Sequence, residues 1–201
     1  ERLVVEDIRA AADLLRPVHD ATEGADGFVS LEVSPALAHD AEATVAEAQR
    51  LFATLDRPNV MIKVPATPEG ITAVRRLIGR GINVNVTLIF ATDAYRGVAE
   101  AYLAGLEDLA TSGGDLSRVA SVASFFVSRV DSAVDPLLEE RARDGTAEAH
   151  DLLGKAAVGN AKLAYQAFRN IFGGSRFAVL RERGARVQRP LWASTGTKNP
   201  A

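Results

Sequence analysis

The chain predicts an α/β fold on a parallel sheet, of the (β/α)8 barrel type but incomplete, with residues 1–201 forming a single domain. Three observations predict it. Short apolar runs rich in β-branched residues alternate with stretches of helical periodicity, and a helical crossover between successive strands makes those strands parallel. No glycine-rich phosphate loop follows any strand, Gly113-Gly114 preceding one instead, which disfavours an open nucleotide-binding sheet. The polar side chains gather at the C-terminal ends of the strands, the rim where barrels do their chemistry.

Taken in order, Val5, Ile8, Ala12 and Leu15 recur at helical spacing in a first helix expected to end at Arg16-Pro17, since the residue before a proline is pushed out of the helical region. Gly27 to Pro35 alternates as a strand, and Ala36 to Leu55 follows as a helix with Val45, Leu51, Phe52 and Leu55 on its inner stripe. Val60 to Val64 is the second strand. Thr67 then supplies an N-cap and Pro68 the first helical position of a helix that carries Ile71, Val74, Leu77 and Ile78 and stops at Gly81. Ile82 to Phe90 is the third strand, and a helix from Thr92 to Leu106 leads into the loop Thr111 to Asp115. Val119 to Val127 is the fourth strand. Helices over Ser132 to Arg143, Leu152 to Phe172 and Phe177 to Arg183 precede the last strand, Pro190 to Ser194.

Composition narrows the chemistry. A hydrophobic content of 47% suits a chain with a real core, and a net charge of -3 spread over mixed signs carries no basic stripe for nucleic acid. No apolar run approaches a membrane span and no secretory pattern opens these residues, so a cytoplasmic protein without a membrane partner is expected. With no cysteine there is neither a disulfide nor a thiolate ligand, and His19, His39 and His150 do not fall at ligand spacing, so no metal is expected. Basic residues are mostly arginine; the lysines are Lys63, Lys155, Lys162 and Lys198. Lys155 and Lys162 fall in a helical stretch and call for no special role.

Lys63 does. It stands near the end of the apolar run Asn59-Val60-Met61-Ile62-Lys63-Val64-Pro65-Ala66-Thr67. Lysine is almost never buried without a partner or a purpose, and an apolar setting favours a neutral amine able to attack a carbonyl. The competing reading is an edge-strand lysine pointing into water. Against it stand the other rim residues: Ser30, Glu32 and Ser34; Asn83, Asn85 and Thr87, which period two places on one face; Ser124 with Arg129 beyond it; and Ser194, Thr197 and Lys198. Solvated strand ends explain Ser34 and Thr197, but not Glu32, Lys63 or Asn85 among bulky apolar neighbours. Glu32, on the neighbouring strand, is placed to pass protons through water. Asn85, Thr87 and Ser124 offer neutral hydrogen bonds to hydroxyls, and Arg129 and Lys198 are rim cations suited to a phosphate. For Arg129 a salt bridge to Asp131 or to a helix carboxylate competes evenly with that role.

The segments Ser30-Leu31-Glu32-Val33-Ser34-Pro35, Met61 to Thr67, Asn83-Val84-Asn85-Val86-Thr87-Leu88-Ile89-Phe90, Ser124-Phe125-Phe126-Val127-Ser128-Arg129-Val130-Asp131 and Trp192 to Pro200 together resemble transaldolase, in particular the actinobacterial and cyanobacterial type. The resemblance implies a barrel of the class I aldolase type acting in the pentose phosphate pathway. It would move a dihydroxyacetone unit between sugar phosphates through a lysine Schiff base, with sugar phosphates as partners and no metal or organic cofactor. Homo-oligomerisation is left open. Carried over by position, Lys63 matches the Schiff-base lysine and Glu32 the proton-relay glutamate. Asn85 and Thr87 match the pair that hydrogen-bonds the intermediate and holds the catalytic water. Ser124, Phe126 and Arg129 match substrate and phosphate positions, and Ser194 a pocket serine. Where many members have an arginine after that serine, this chain has Thr195-Gly196-Thr197-Lys198, and Lys198 is read as the substitute phosphate contact.

The family's first strand, with its catalytic aspartate, its second strand, and its closing strand and C-terminal helices find no match. The chain is therefore expected to be a fragment covering about strands three to seven, poorly active alone, of an active parent. The alternatives are an aldolase that releases dihydroxyacetone from fructose 6-phosphate, and a non-catalytic sugar-phosphate-binding remnant.

Overall fold

A computed structural model describes residues 1–196 and contains the predicted alternation. The helix α1 (Arg2–Ala21) leads to β1 (Val29–Glu32), and α2 (Ala41–Leu55) to β2 (Val60–Pro65). Then come α3 (Pro68–Ile78), β3 (Val84–Ile89), α4 (Thr92–Thr111) and β4 (Ser121–Phe126). Four helices, α5 (Ser128–Arg143), α6 (Ala147–His150), α7 (Ala156–Phe172) and α8 (Ser175–Glu182), precede β5 (Arg189–Ala193). All pairings are parallel, in the order β1-β2-β3-β4-β5, so each crossover returns the chain to the next position in the sheet. Among the described residues β1 and β5 are free edges: the sheet is not closed, consistent with a partial barrel.

The two faces of the sheet differ in kind. Val60, Ile62 and Val64 of β2, Val84 and Val86 of β3, and Ala123 and Phe125 of β4 join the core formed with the helices. Against them pack Ala73, Val74 and Leu77 of α3 and Val98, Tyr102 and Leu106 of α4. Such strands read as apolar runs because one whole face is covered. Burial raises the pKa of the Tyr102 hydroxyl, which donates to the Arg186 carbonyl at 2.8 Å. The helices α3 and α4 approach closely at Gly105, where a Cβ would stand 2.6 Å from the Arg75 carbonyl oxygen and 2.7 Å from Ile78 Cβ. The alternate residues, among them Met61, Lys63, Asn85, Thr87 and Ser124, line the opposite face.

Several boundaries differ from those predicted. The helix α1 does not end at Arg16-Pro17 but continues through Pro17 to Ala21. The turn is supported from outside, where Asn59 Nδ2 donates to the Ala12 carbonyl at 2.8 Å, and within the helix, where Arg16 Nε pairs with Asp20 Oδ1 at 2.7 Å. Tertiary contacts thus outweigh the proline's local preference. Between β1 and α2 the chain makes a short 3-10 turn, Pro35–Leu37, before Asp40 caps α2 by accepting from the Ala43 N–H at 2.9 Å. The start of α3 is as read, with Thr67 Oγ1 accepting from the Gly70 N–H at 3.0 Å and Pro68 at the first position. The helix α5 begins earlier than predicted, at Ser128, and α7 later, at Ala156. No helix among the described residues is long and apolar enough to cross a membrane.

Asn83 departs from its expected company. Period two groups it with Asn85 and Thr87, but it serves the N-terminal end of the sheet. Its Nδ2 donates to the carbonyls of Pro58 (2.9 Å) and Val60 (3.2 Å), and its Oδ1 accepts from the Ala120 N–H at 2.8 Å. One buried side chain therefore ties β2, β3 and the entry to β4 together. Asn83→Ala strands three backbone groups, and since an unsatisfied buried group costs roughly 1–3 kcal/mol, the expected loss is about 3 kcal/mol. Urea unfolding should show a lower midpoint at an unchanged slope; a shift worth less than about 1 kcal/mol contradicts this role.

Candidate active site

The site is assembled on the uncovered face by register. Glu32 at the end of β1 pairs in register with Lys63 of β2, and Lys63 with Asn85 of β3. Adjacent strands in parallel register set these side chains side by side on one face. Lys63 Nζ lies 3.3 Å from Glu32 Oε2, with the lysine side chain 31% and the glutamate 44% exposed. The competing reading of Lys63 as an edge-strand lysine does not hold, because β2 lies between β1 and β3. Its Nζ meets the Glu32 carboxylate directly.

Asn85 is buried at 7% exposure and held at both ends of its amide. Ser124 Oγ, on β4, donates to its Oδ1 at 2.7 Å, and its Nδ2 donates to Ser30 Oγ, on β1, at 3.1 Å. A chain of hydrogen bonds thus crosses from β4 to β1 over β2. Met61, the register partner of Ser30, is 2% exposed. Thr87 is 1% exposed, and among the described residues its Oγ1 makes no hydrogen bond. A buried hydroxyl is almost always satisfied by protein or ordered water, so this one is available to a water or a substrate atom. Just beyond it the β3–β4 register shifts between Val86 and Ile89, and Leu88 takes a left-handed φ of 58°. A bulge of this sort re-aims side chains at the end of a strand.

At the rim, Phe126 packs against Phe90 with ring centroids 5.1 Å apart, and the Arg129 guanidinium lies 4.8 Å from the Phe126 ring centroid. The alternative partner of Arg129, Asp131, instead accepts from the Ala157 N–H at 2.7 Å. The exposed guanidinium therefore stacks on an aromatic face, and among the described residues no hydrogen bond takes its donors. Ser194 takes a left-handed φ of 54°, and its Oγ lies 3.1 Å from Ser128 Oγ. An apolar groove of about 500 Å³, lined by Val158, Tyr165 and Trp192 among others, lies beside α7 and contains none of the residues just described.

The family model for transaldolase/fructose-6-phosphate aldolase matches residues 1–201. The chain belongs to this family. Among similar proteins, Transaldolase 1 of Streptomyces avermitilis is 58% identical over 199 residues, 99% of this chain and 52% of the relative. The transaldolase of Thermobifida fusca is 57% identical over 194 residues, 96% of this chain and 52% of the relative. That of Mycobacterium marinum is 53% identical over 199 residues, with 98% and 52% covered. The chain spans about half the length of the curated relatives it matches.

Of the residues singled out by transaldolase resemblance, the structure brings together Lys63, Glu32, Asn85 and Ser124 through register or hydrogen bonds, with Thr87 two residues beyond Asn85 on the same strand. Phe126 and Arg129 form their own contact at the rim, and Ser194 is joined to Ser128. Lys198 lies outside the described residues. Ser30 is grouped with the rim residues by the sequence but given no chemical role, and Ser128 is given none. Two signals mark Ser30: its place among the polar residues at the strand ends, and its spacing of two from Glu32, which puts both on the same face.

Proposed function

We propose that the protein is a transaldolase of the pentose phosphate pathway, acting in the cytoplasm on sugar phosphates through a Schiff base at Lys63. The observation that carries this reading is the meeting of Lys63 with Glu32 at 3.3 Å, in register with the clamped amide of Asn85. An amine beside a carboxylate can form an imine with both proton movements served locally. Nζ adds to the ketose carbonyl carbon, and Glu32 carries a proton to the carbinolamine hydroxyl, which leaves as water. A base then takes the proton of the hydroxyl on the fourth sugar carbon, that carbon becomes an aldehyde as its bond to the third carbon breaks, and the iminium accepts the electron pair. An aldose phosphate departs, and an enamine stays on Lys63. Addition of that enamine to a second aldose phosphate and hydrolysis of the new imine complete the transfer.

The other residues fit this course. Asn85 offers an N–H to an oxygen of the bound three-carbon unit. The unpaired Thr87 hydroxyl suits the water consumed in hydrolysis. Arg129, held over Phe126, presents donors to the substrate phosphate at the rim, with Ser194 just past the end of the adjoining strand β5 and Lys198 as the further cation. The names of the relatives, each a transaldolase, support transfer over simple cleavage.

The second reading is an aldolase that releases free dihydroxyacetone, an activity that the matching family's description also names. An assay with fructose 6-phosphate and erythrose 4-phosphate separates the two. Run on the whole polypeptide that its gene encodes, it should yield sedoheptulose 7-phosphate with little free dihydroxyacetone. Release of dihydroxyacetone at the full rate, without transfer, assigns the second activity instead.

A further inference from the structure

Asn85 is held at both ends of its amide on the uncovered face. Its amide bridges three strands, taking the Ser124 hydroxyl on Oδ1 at 2.7 Å and giving an N–H to Ser30 Oγ at 3.1 Å. An amide held at one end can still swing about its side-chain torsions; one held at both ends has its plane fixed. What remains is a single Nδ2 hydrogen and one Oδ1 lone pair, in a side chain that is 7% exposed. The register locates this anchor: Ser30 pairs with Met61 and Asn85 with Lys63, so their bond crosses β2 in the interval between Met61 and Lys63.

We propose that Ser30 is a positioning residue for chemistry at Lys63, acting through Asn85. By accepting one Nδ2 hydrogen it aims the other at the oxygen of the substrate unit held on Lys63. Ser124 alone leaves that amide free to rotate, and the second anchor removes this freedom before substrate arrives. Preorganised donors of this sort act on the charge that develops during reaction, so their loss appears in kcat more than in KM. This assignment rests on the Schiff-base reading above.

The test is the cycle formed by Ser30→Ala, Asn85→Ala and the double variant, in the whole polypeptide that its gene encodes. Transfer from fructose 6-phosphate to erythrose 4-phosphate is followed at steady state, with both sugars in excess over enzyme. Ser30→Ala should lower kcat about tenfold, the scale of one lost hydrogen bond, with KM and the thermal midpoint nearly unmoved. In the Asn85→Ala background the same substitution should have no further effect, because the group it positions is gone. Borohydride should still trap an adduct on Lys63 in Ser30→Ala. A Ser30→Ala variant at the unsubstituted rate, or an equal tenfold loss with Asn85 already removed, overturns the assignment while leaving the Schiff-base reading intact. An unsubstituted protein that neither turns over nor forms the adduct overturns both.

Discussion

Lys63→Arg is expected to abolish turnover, with a loss of at least about a thousandfold, on the scale of removing a covalent nucleophile. The substitution is chosen because it retains what a structural account of Lys63 would need. Arginine keeps the positive charge, keeps an apolar stem along β2, and can still pair with Glu32, from which Lys63 Nζ lies 3.3 Å. It cannot shed a proton to become a nucleophile, and it cannot form an imine. If Lys63 served only to pair with Glu32 across β1 and β2, arginine would serve equally well, and turnover and stability would both survive. The account therefore predicts an intact thermal transition, no adduct after borohydride and no measurable transfer. Turnover within tenfold of the unsubstituted protein removes Lys63 from its assigned part.

Glu32→Gln is expected to slow the reaction by roughly a hundredfold, as the loss of a general acid-base group does. Glutamine keeps the size and polarity of the side chain but cannot deliver and recover a proton. Because the carboxylate acts in forming and in hydrolysing the imine, kcat and kcat/KM should fall together. Trapping should persist, although more slowly, since the amine remains. The side chain is 44% exposed, so little stability depends on it and a fall in activity cannot be traced to unfolding. A variant with unchanged kcat would assign proton movement to another group.

Much of this was open to reading in the residues. The covered face of β2 and β3 appears as the spacing of Val60, Ile62, Val64, Val84 and Val86, and Thr67-Pro68 announces α3 through cap chemistry alone. Glu32, Lys63 and Asn85 could be grouped because consecutive strands joined by helical crossovers become neighbours in space. What could not be read were the interactions that cross between strands. Asn83 and Asn85 have the same spacing relationship to the sheet and the same chemistry. One ties the N-terminal ends of strands and the other spans the site, and only the register separates them. Ser30 is a common residue type whose importance lies in its 3.1 Å contact with a side chain 55 positions away.

Two other features belong to tertiary context. A proline at position 17 is a local signal to end a helix, yet Asn59 and the packing of Ala12, fully buried, carry α1 past it. The left-handed turn at Leu88 has no glycine to mark it, since a bulge at a strand end draws on the surrounding sheet for its strain. The pairing of Lys63 with the Glu32 carboxylate has the same origin. Whether a strand lysine meets hydrocarbon or charge is decided by its neighbour's register, here Glu32.

Borohydride reduction in the presence of fructose 6-phosphate, followed by peptide mapping of the whole polypeptide that the gene encodes, tests the covalent step itself. The prediction is a reduced three-carbon adduct on the peptide that contains Lys63, dependent on the sugar phosphate and absent from Lys63→Arg. An adduct on Lys155 or Lys162, or no adduct at all in a protein that still turns over, contradicts it.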